Sequence, residues 1–246
     1  FRSIEFKNIK TMLNGYETLK PLNQKAQDLE MTILISISPE QVLKKIEETI
    51  GKHYHFKDIK FSSFSLASFA VVRDIHSHNE NFLLIDIGGE VTNISMIKKN
   101  ILRESVSFPL GCNFIIRKVA SALDSSLDEA KSLFSLFKDG HATVSVKQKI
   151  GLIVNDLKTE WLVKFQESLA NLSNDISIPS NIYIVVDKDK ASFFCQIIET
   201  EQFNQYTLTE SKFKIIFLDT EFFHSMALFN NSSIHDPNLI IDSIYI

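Results

Sequence analysis

The run Phe82-Leu83-Leu84-Ile85-Asp86-Ile87-Gly88-Gly89-Glu90-Val91-Thr92-Asn93-Ile94-Ser95-Met96-Ile97 constrains this chain more than any other stretch. It reads as an apolar strand, a tight turn of acid and glycine, and a second strand returning beside the first. The turn has a chemical rationale. Gly88 and Gly89 can bring bare backbone N–H groups close to phosphate oxygens, at dihedrals that only glycine adopts cheaply. Asp86, at the end of the first strand, is placed to hold a Mg²⁺-bound water beside those phosphates. Thr92 can add a hydroxyl donor. The same local pattern also fits an ordinary hairpin whose Gly-Gly only makes the turn.

Composition bounds the alternatives. The 246 residues give room for two compact lobes, and 44% hydrophobic with 23% charged residues is ordinary globular usage. A net charge of −4, with both signs interspersed, gives no support to a nucleic-acid-binding surface. Cys112 and Cys195 are far apart and lack metal or redox spacing, so two buried thiols in a reducing, cytoplasmic compartment are expected. No apolar run approaches the roughly 18–20 residues that span a bilayer, so no transmembrane segment is expected.

The hairpin resembles the second phosphate-binding hairpin of the actin, sugar-kinase and heat-shock-chaperone ATPase superfamily, Asp-x-Gly-Gly-Gly-Thr-x-Asp. Its surroundings resemble one branch, the division actin FtsA and the pilus-assembly protein PilM. Asn14-Gly15-Tyr16-Glu17, Pro21, Lys25-Ala26 and Leu29-Glu30 are similar to the entry into that branch's strand-helix-strand-strand insert. Leu66-Ala67-Ser68 matches the Leu-Ala-Ser preceding the hairpin, and Phe108-Pro109-Leu110-Gly111-Cys112-Asn113 resembles the Pro-x-Gly-Gly-Asn that opens the next helix. Leu127-Asp128-Glu129-Ala130-Lys131, then Lys138-Asp139-Gly140, extends the likeness to about residue 150.

The resemblance implies an α/β (α+β) fold. An actin-like (ribonuclease H-like) ATPase lobe over 63–246 would follow an incomplete insert subdomain over 1–62. ATP and Mg are the implied cofactors, with Asp86, Gly88, Gly89, Thr92 and Gly111 as the binding residues and Asp86 meeting Mg through water. The family's first phosphate loop would lie N-terminal to Phe1, so the chain is expected to supply one side of a two-sided cleft. The implied partners are proteins of the division or pilus machinery at the inner face of the cytoplasmic membrane, with self-association through the insert as a further possibility.

Departures from the pattern point to a worn site. Glu90 replaces the third glycine and would carry a like charge toward the γ-phosphate, while Val91 and Asn93 replace a threonine and an aspartate. Cys112 replaces a glycine, and Phe64-Ser65 stand where many members have Glu-Pro. The family's Gly-Gly-Gly adenine loop has as its nearest counterpart Val186-Asp187-Lys188-Asp189-Lys190-Ala191, without any glycine.

Local signals place the other elements. Strands are expected at 31–37, 59–61, 101–108, 181–186, 213–218 and the apolar run 239–246. Helices are expected from Ser38-Pro39-Glu40 to Gly51, over 63–75, 113–123, from the Asp124-Ser125-Ser126 cap to Gly140, and over 146–172, 189–200 and 222–229. Ile150, Ile153, Val154, Leu157, Trp161, Phe165 and Leu169 form one helical stripe, read first as core. His53-Tyr54-His55 and His76-Ser77-His78 lack further ligands at metal spacing, and Asp156 with Glu160 reads as a solvated face. Two functions stay open: a scaffold that keeps the ATPase fold as a shape, and a working Mg-ATPase.

Overall fold

The computed structural model describes residues 1–18, 20–54, 58–76, 78–173, 177–200, 213–224, 226–227, 229 and 236–246. The chain divides into two compact units, Phe1–Ala70 and Val71–Ile246.

The first unit is a three-stranded antiparallel sheet with a helix. Strand β1 (Arg2–Leu13) turns through Asn14 and Gly15 into β2 (Tyr16–Glu17), and β3 (Leu29–Ser38) pairs along the other edge of β1. The two turn residues have φ of 51° and 81°, the left-handed values that a two-residue hairpin needs and that Asn-Gly supplies. The Asn14 carboxamide oxygen also accepts from the backbone N–H groups of Gln27 and Asp28 at 2.8 and 3.1 Å. Helix α1 (Glu40–His53) is tied to β1 by Arg2, whose guanidinium donates to Glu47 at 2.7 Å. Its start differs from the expected cap. Ser38 belongs to the strand, Pro39 occupies the cap position without a side-chain bond, and the helix runs past Gly51 to His53. Residues 59–61 form no strand, a second correction.

Helix α2 (Phe64–Ile75) carries the Leu66-Ala67-Ser68 segment, all three residues buried, with the Ser68 hydroxyl donating to the Phe64 carbonyl.

The second unit is built on a five-stranded sheet in the order β6-β5-β4-β7-β8. The strands are β4 (Phe82–Ile87), β5 (Thr92–Lys98), β6 (Ile101–Phe108), β7 (Asn181–Val186) and β8 (Lys214–Phe217). The hairpin β4–β5 and its neighbour β6 are antiparallel, whereas β7 joins β4 in parallel and β8 follows in parallel. Alternation along β4 sends Leu83, Ile85 and Ile87 into one core, with α3 (Cys112–Leu123), α4 (Leu127–Lys138), α5 (Val144–Leu172) and α6 (Lys188–Thr200) contributing to it. The stripe on α5 is core as expected: Ile150, Val154, Leu157, Trp161, Phe165 and Leu169 are buried and Ile153 packs against them. Trp161 stacks on Phe165 at 4.9 Å and meets Phe108 edge-on at 5.7 Å. Ser126 starts α4 by accepting from the Glu129 N–H at 3.2 Å.

Two further expectations fail at the C-terminal end. The run 239–246 is not a strand but part of α7 (Pro237–Tyr245), begun by the Asp236 carboxylate accepting from the N–H groups of Asn238 and Leu239 with Pro237 at the first position. Residues 222–224 make turns where a helix was expected over 222–229, and the remainder of that expectation falls partly outside the described residues. Of the two thiols, Cys112 is buried but Cys195 is only half-buried.

Candidate functional site

The parallel pairing of β4 with β7 brings two strand ends together, Ile87 opposite Val186. The phosphate-type turn leaves the end of β4, and α6 leaves the end of β7. The carboxyl ends of parallel strands, where the backbone diverges, are the usual place for a ligand crevice in such sheets. A cleft of about 760 Å³ lies there. The turn residues Gly88, Gly89 and Glu90 line it, with Cys112, Asn113 and Arg117 of α3, Lys131 of α4 and Asp187, Lys188 and Lys190 at the start of α6.

The turn is locked onto α3. Gly88 donates its N–H to the Val91 carbonyl at 3.0 Å, closing the hairpin. The carbonyls of Gly88 and Gly89 then accept from the N–H groups of Cys112 and Asn113, both at 2.8 Å, which satisfies the first amides of the helix. Gly111 makes this docking possible. A Cβ there would lie 2.4 Å from the Gly88 oxygen and 2.6 Å from the carbonyl atoms of Gly89. Gly111 is therefore a packing residue, and nothing about its position requires a ligand. Among the described residues no acceptor takes the N–H groups of Gly89, Glu90 and Val91, and of these three residues Gly89 and Glu90 line the cleft, where their donors could meet an anion.

Thr92 does the opposite of what was expected. It is fully buried, its hydroxyl donates inward to the Leu110 carbonyl at 2.7 Å, and it accepts from the Trp161 indole N–H at 3.3 Å. The hydroxyl is consumed in joining β5, the loop before α3 and α5, and none of it is left for a phosphate.

Asp86 sits opposite Asn93 across the β4–β5 ladder and accepts from its carboxamide at 3.2 Å. Burial pushes its carboxyl above the ordinary range, opposed in part by the Asn93 bond. Asp86 is absent from the residues lining the cleft. Its half-buried position leaves it open to a water-bound cation, but it acts alone: no cluster of three or more His, Cys, Asp or Glu suited to a metal occurs among the described residues. Of the histidine pairs, His55 and Ser77 lie outside the described residues, and the rings of His76 and His78 meet edge-on at 5.5 Å.

Glu90 does not project freely toward a phosphate position. Its carboxylate accepts from Arg117 at 2.8 and 2.7 Å and from the Asn113 carboxamide at 3.0 Å. These bonds, Arg117 first, hold its carboxyl at about 2. Sequence reasoning missed Arg117. The signal was there in the Asn113, Arg117 spacing of four, which puts both on one face of α3 beside the turn.

The adenine-loop counterpart is closed. α6 begins directly at Lys188, and Asp187 caps it by accepting from the Asp189 N–H at 3.1 Å. Asp187 also pairs with Lys190, whose side chain is almost covered. Residues Glu90, Asp128, Asp187 and Asp236 balance Arg117, Lys131, Lys188 and Lys190 around the cleft, so no net cationic field favours a polyphosphate. Cys112, against the Ile87 carbonyl, has its thiol pushed up to about 11 by burial and is no nucleophile. Tested against Mg-ATP, the residues offer two amide donors and one carboxylate, without a base cradle or a phosphate-facing hydroxyl. The fit is partial, and no chemical step is derived from it.

No protein-family model matches the chain, and no curated protein matches it. Solved structures do. The chain aligns over 98% of its length with 64% of a chain from the PilM–PilN type IV pilus biogenesis complex, at TM-score 0.62 and 12% identity. A non-polymerisable quadruple mutant of pCBH ParM aligns over 76% of this chain and 52% of its own, at TM-score 0.43 and 16% identity. The ethanolamine utilization protein EutJ from Carboxydothermus hydrogenoformans aligns over 55% of this chain and 44% of its own, at TM-score 0.38 and 17% identity. The chain thus spans less than two thirds of each. It shares the fold of that chain of the PilM–PilN complex, a mixed α/β architecture. No described helix is long and apolar enough to cross a membrane.

Proposed function

We propose that this chain belongs to a scaffold of actin-like fold, which acts through protein–protein contacts and whose nucleotide site is attenuated. The observation that carries this reading is the closed state of the site's own donors. Glu90 occupies Arg117 and Asn113, Asp187 caps α6 where a base would need bare backbone, and Thr92 is turned inward. Mg-ATP, when bound, would meet the free N–H groups of Gly89 and Glu90, with Asp86 holding a water of the cation. Its role is then to select a closed conformation and not to be turned over.

Two cellular settings suit the reading. The order of insert, Leu-Ala-Ser and hairpin leans to an FtsA-like part in bacterial cell division at the inner face of the cytoplasmic membrane. The likeness to the PilM–PilN complex over almost the whole chain supports a PilM-like part in type IV pilus assembly. In both, Phe1–Ala70 is the accessory unit that meets partners.

The test is calorimetric titration of the full-length protein with Mg-ATP, beside Asp86→Ala. Weak binding, or none near millimolar ATP, with no turnover, supports the scaffold. Tight binding that Asp86→Ala abolishes, accompanied by phosphate release, would establish the working ATPase instead.

A further inference from the structure

The pair made by Glu90 and Arg117 is not explained by packing. The two side chains are 60% and 49% exposed, and neither has another ion-pair partner among the described residues. An exposed pair of this kind adds little to stability. The turn is already docked without it, through the backbone bonds from Cys112 to Gly88 and from Asn113 to Gly89. The pair can therefore open while hairpin and helix keep their places.

What the pair controls is the supply of donors at the rim of the cleft. Gly89, Glu90, Asn113 and Arg117 all line it. The Asn113 carboxamide nitrogen stands 2.8 Å from where a Cβ on Gly89 would lie, so it adjoins a backbone whose N–H has no acceptor among the described residues. Arg117 follows one turn later on the same face of α3. Glu90 takes both side chains, and it engages the guanidinium through two nitrogens and two oxygens. That fork is the geometry in which arginine also takes a phosphate.

We infer that Arg117 is the residue that recognises the terminal phosphate of a ligand in this cleft, and that Glu90 holds it in reserve. The ligand class follows from the competition. An occupant must displace a carboxylate of one charge from the guanidinium, and a terminal phosphate brings about two negative charges at neutral pH. Binding is then an exchange of partners: the phosphate takes the Arg117 fork and the Asn113 N–H, and the Glu90 carboxylate turns to solvent. No covalent bond changes. Lys118, the next residue of α3, has no part in it. Its ammonium pairs with Glu160 at 3.5 Å, and it does not line the cleft.

The inference rests on the attenuated-site reading and adds a ligand residue to it. The experiment is calorimetric titration of the full-length protein with Mg-ATP, for wild type, Glu90→Ala, and Glu90→Ala combined with Arg117→Ala, Arg117→Lys or Lys118→Ala. Thermal melting shows that each variant folds. Glu90→Ala should bind more tightly than wild type. Adding Arg117→Ala should raise its dissociation constant at least about tenfold, and Arg117→Lys should recover only part of the loss, because an ammonium lacks the fork. Adding Lys118→Ala removes the same charge from α3 and should change little. If Glu90→Ala with Arg117→Ala binds as tightly as Glu90→Ala, the proposal is overturned while the attenuated site stands, since the carboxylate's charge alone then accounts for it. If Glu90→Ala binds no better than wild type, both fall.

Discussion

Arg117 grips Glu90 with both terminal guanidinium nitrogens, at 2.8 and 2.7 Å, one to each carboxylate oxygen. The pair joins the tip of the phosphate-type turn to the face of α3, beside the cleft at the ends of β4 and β7. It gives the least expected residue of the turn a definite role. The carboxylate takes the two side-chain donors of α3 that face the turn, Arg117 and Asn113, and leaves the N–H groups of Gly89 and Glu90 without an acceptor.

That pairing sets a measurable titration. Glu90 should protonate near pH 2, against about 4.5 for an ordinary glutamate. Its folded value is depressed, so its contribution to stability is present above about 4.5 and is lost as pH falls toward about 2. The pair is exposed, so the contribution shrinks with added salt. Carboxyl NMR titration of wild type and Arg117→Ala checks this. Arg117→Ala should return Glu90 toward its ordinary value, and an ordinary value already in wild type would show that the pair does not form.

Gly111 carries a stability prediction. A methyl group there collides with backbone atoms of Gly88 and Gly89, which cannot swing aside as a flexible side chain would. Gly111→Ala should cost about 1–3 kcal/mol and lower Tm by several degrees. Gly89→Ala meets only the movable Asn113 carboxamide at 2.8 Å and should cost less. Differential scanning calorimetry of the two variants decides the order, and equal losses would contradict the docking of the turn on α3.

Thr92→Val keeps the shape and removes the hydroxyl, leaving the Leu110 carbonyl and the Trp161 N–H without their partner. The expected loss is about 1–3 kcal/mol, with Thr92→Ser closer to wild type. Denaturant unfolding followed by Trp161 fluorescence, the only tryptophan in the chain, measures it. At temperatures where both variants are folded, neither should alter Mg-ATP affinity, because the hydroxyl never faces a phosphate.

Much of this was legible in the sequence, and the failures share a cause. The hairpin, the α5 stripe and strands such as 101–108 and 181–186 announce themselves through periodicity, a local property. β1 went unread because irregular pairing between Ser3 and Glu5 and between Asn8 and Lys10 shifts its alternation. The run 239–246 looked like a strand from its isoleucines, although Asp236-Pro237 carries a helix-start signal that outweighed them. The strand–turn–strand placement of Asp86 near the end of β4 and of Gly88 and Gly89 in the turn was legible, although neither glycine takes the positive φ expected and Asp86 does not line the cleft. Thr92 was misjudged because its partner Trp161 is 69 residues away, and Glu90 because Arg117 is 27 away. Which way a polar side chain faces is decided by such distant partners, and local pattern does not contain them.

The central claim is that the turn's own carboxylate attenuates the nucleotide site. The most direct measurement is Mg-ATP affinity of Glu90→Ala beside wild type, by calorimetry on the full-length protein. The account predicts clearly tighter binding by the variant, because Arg117 and Asn113 are released and a negative charge leaves the rim of the cleft. Equal affinities would contradict it.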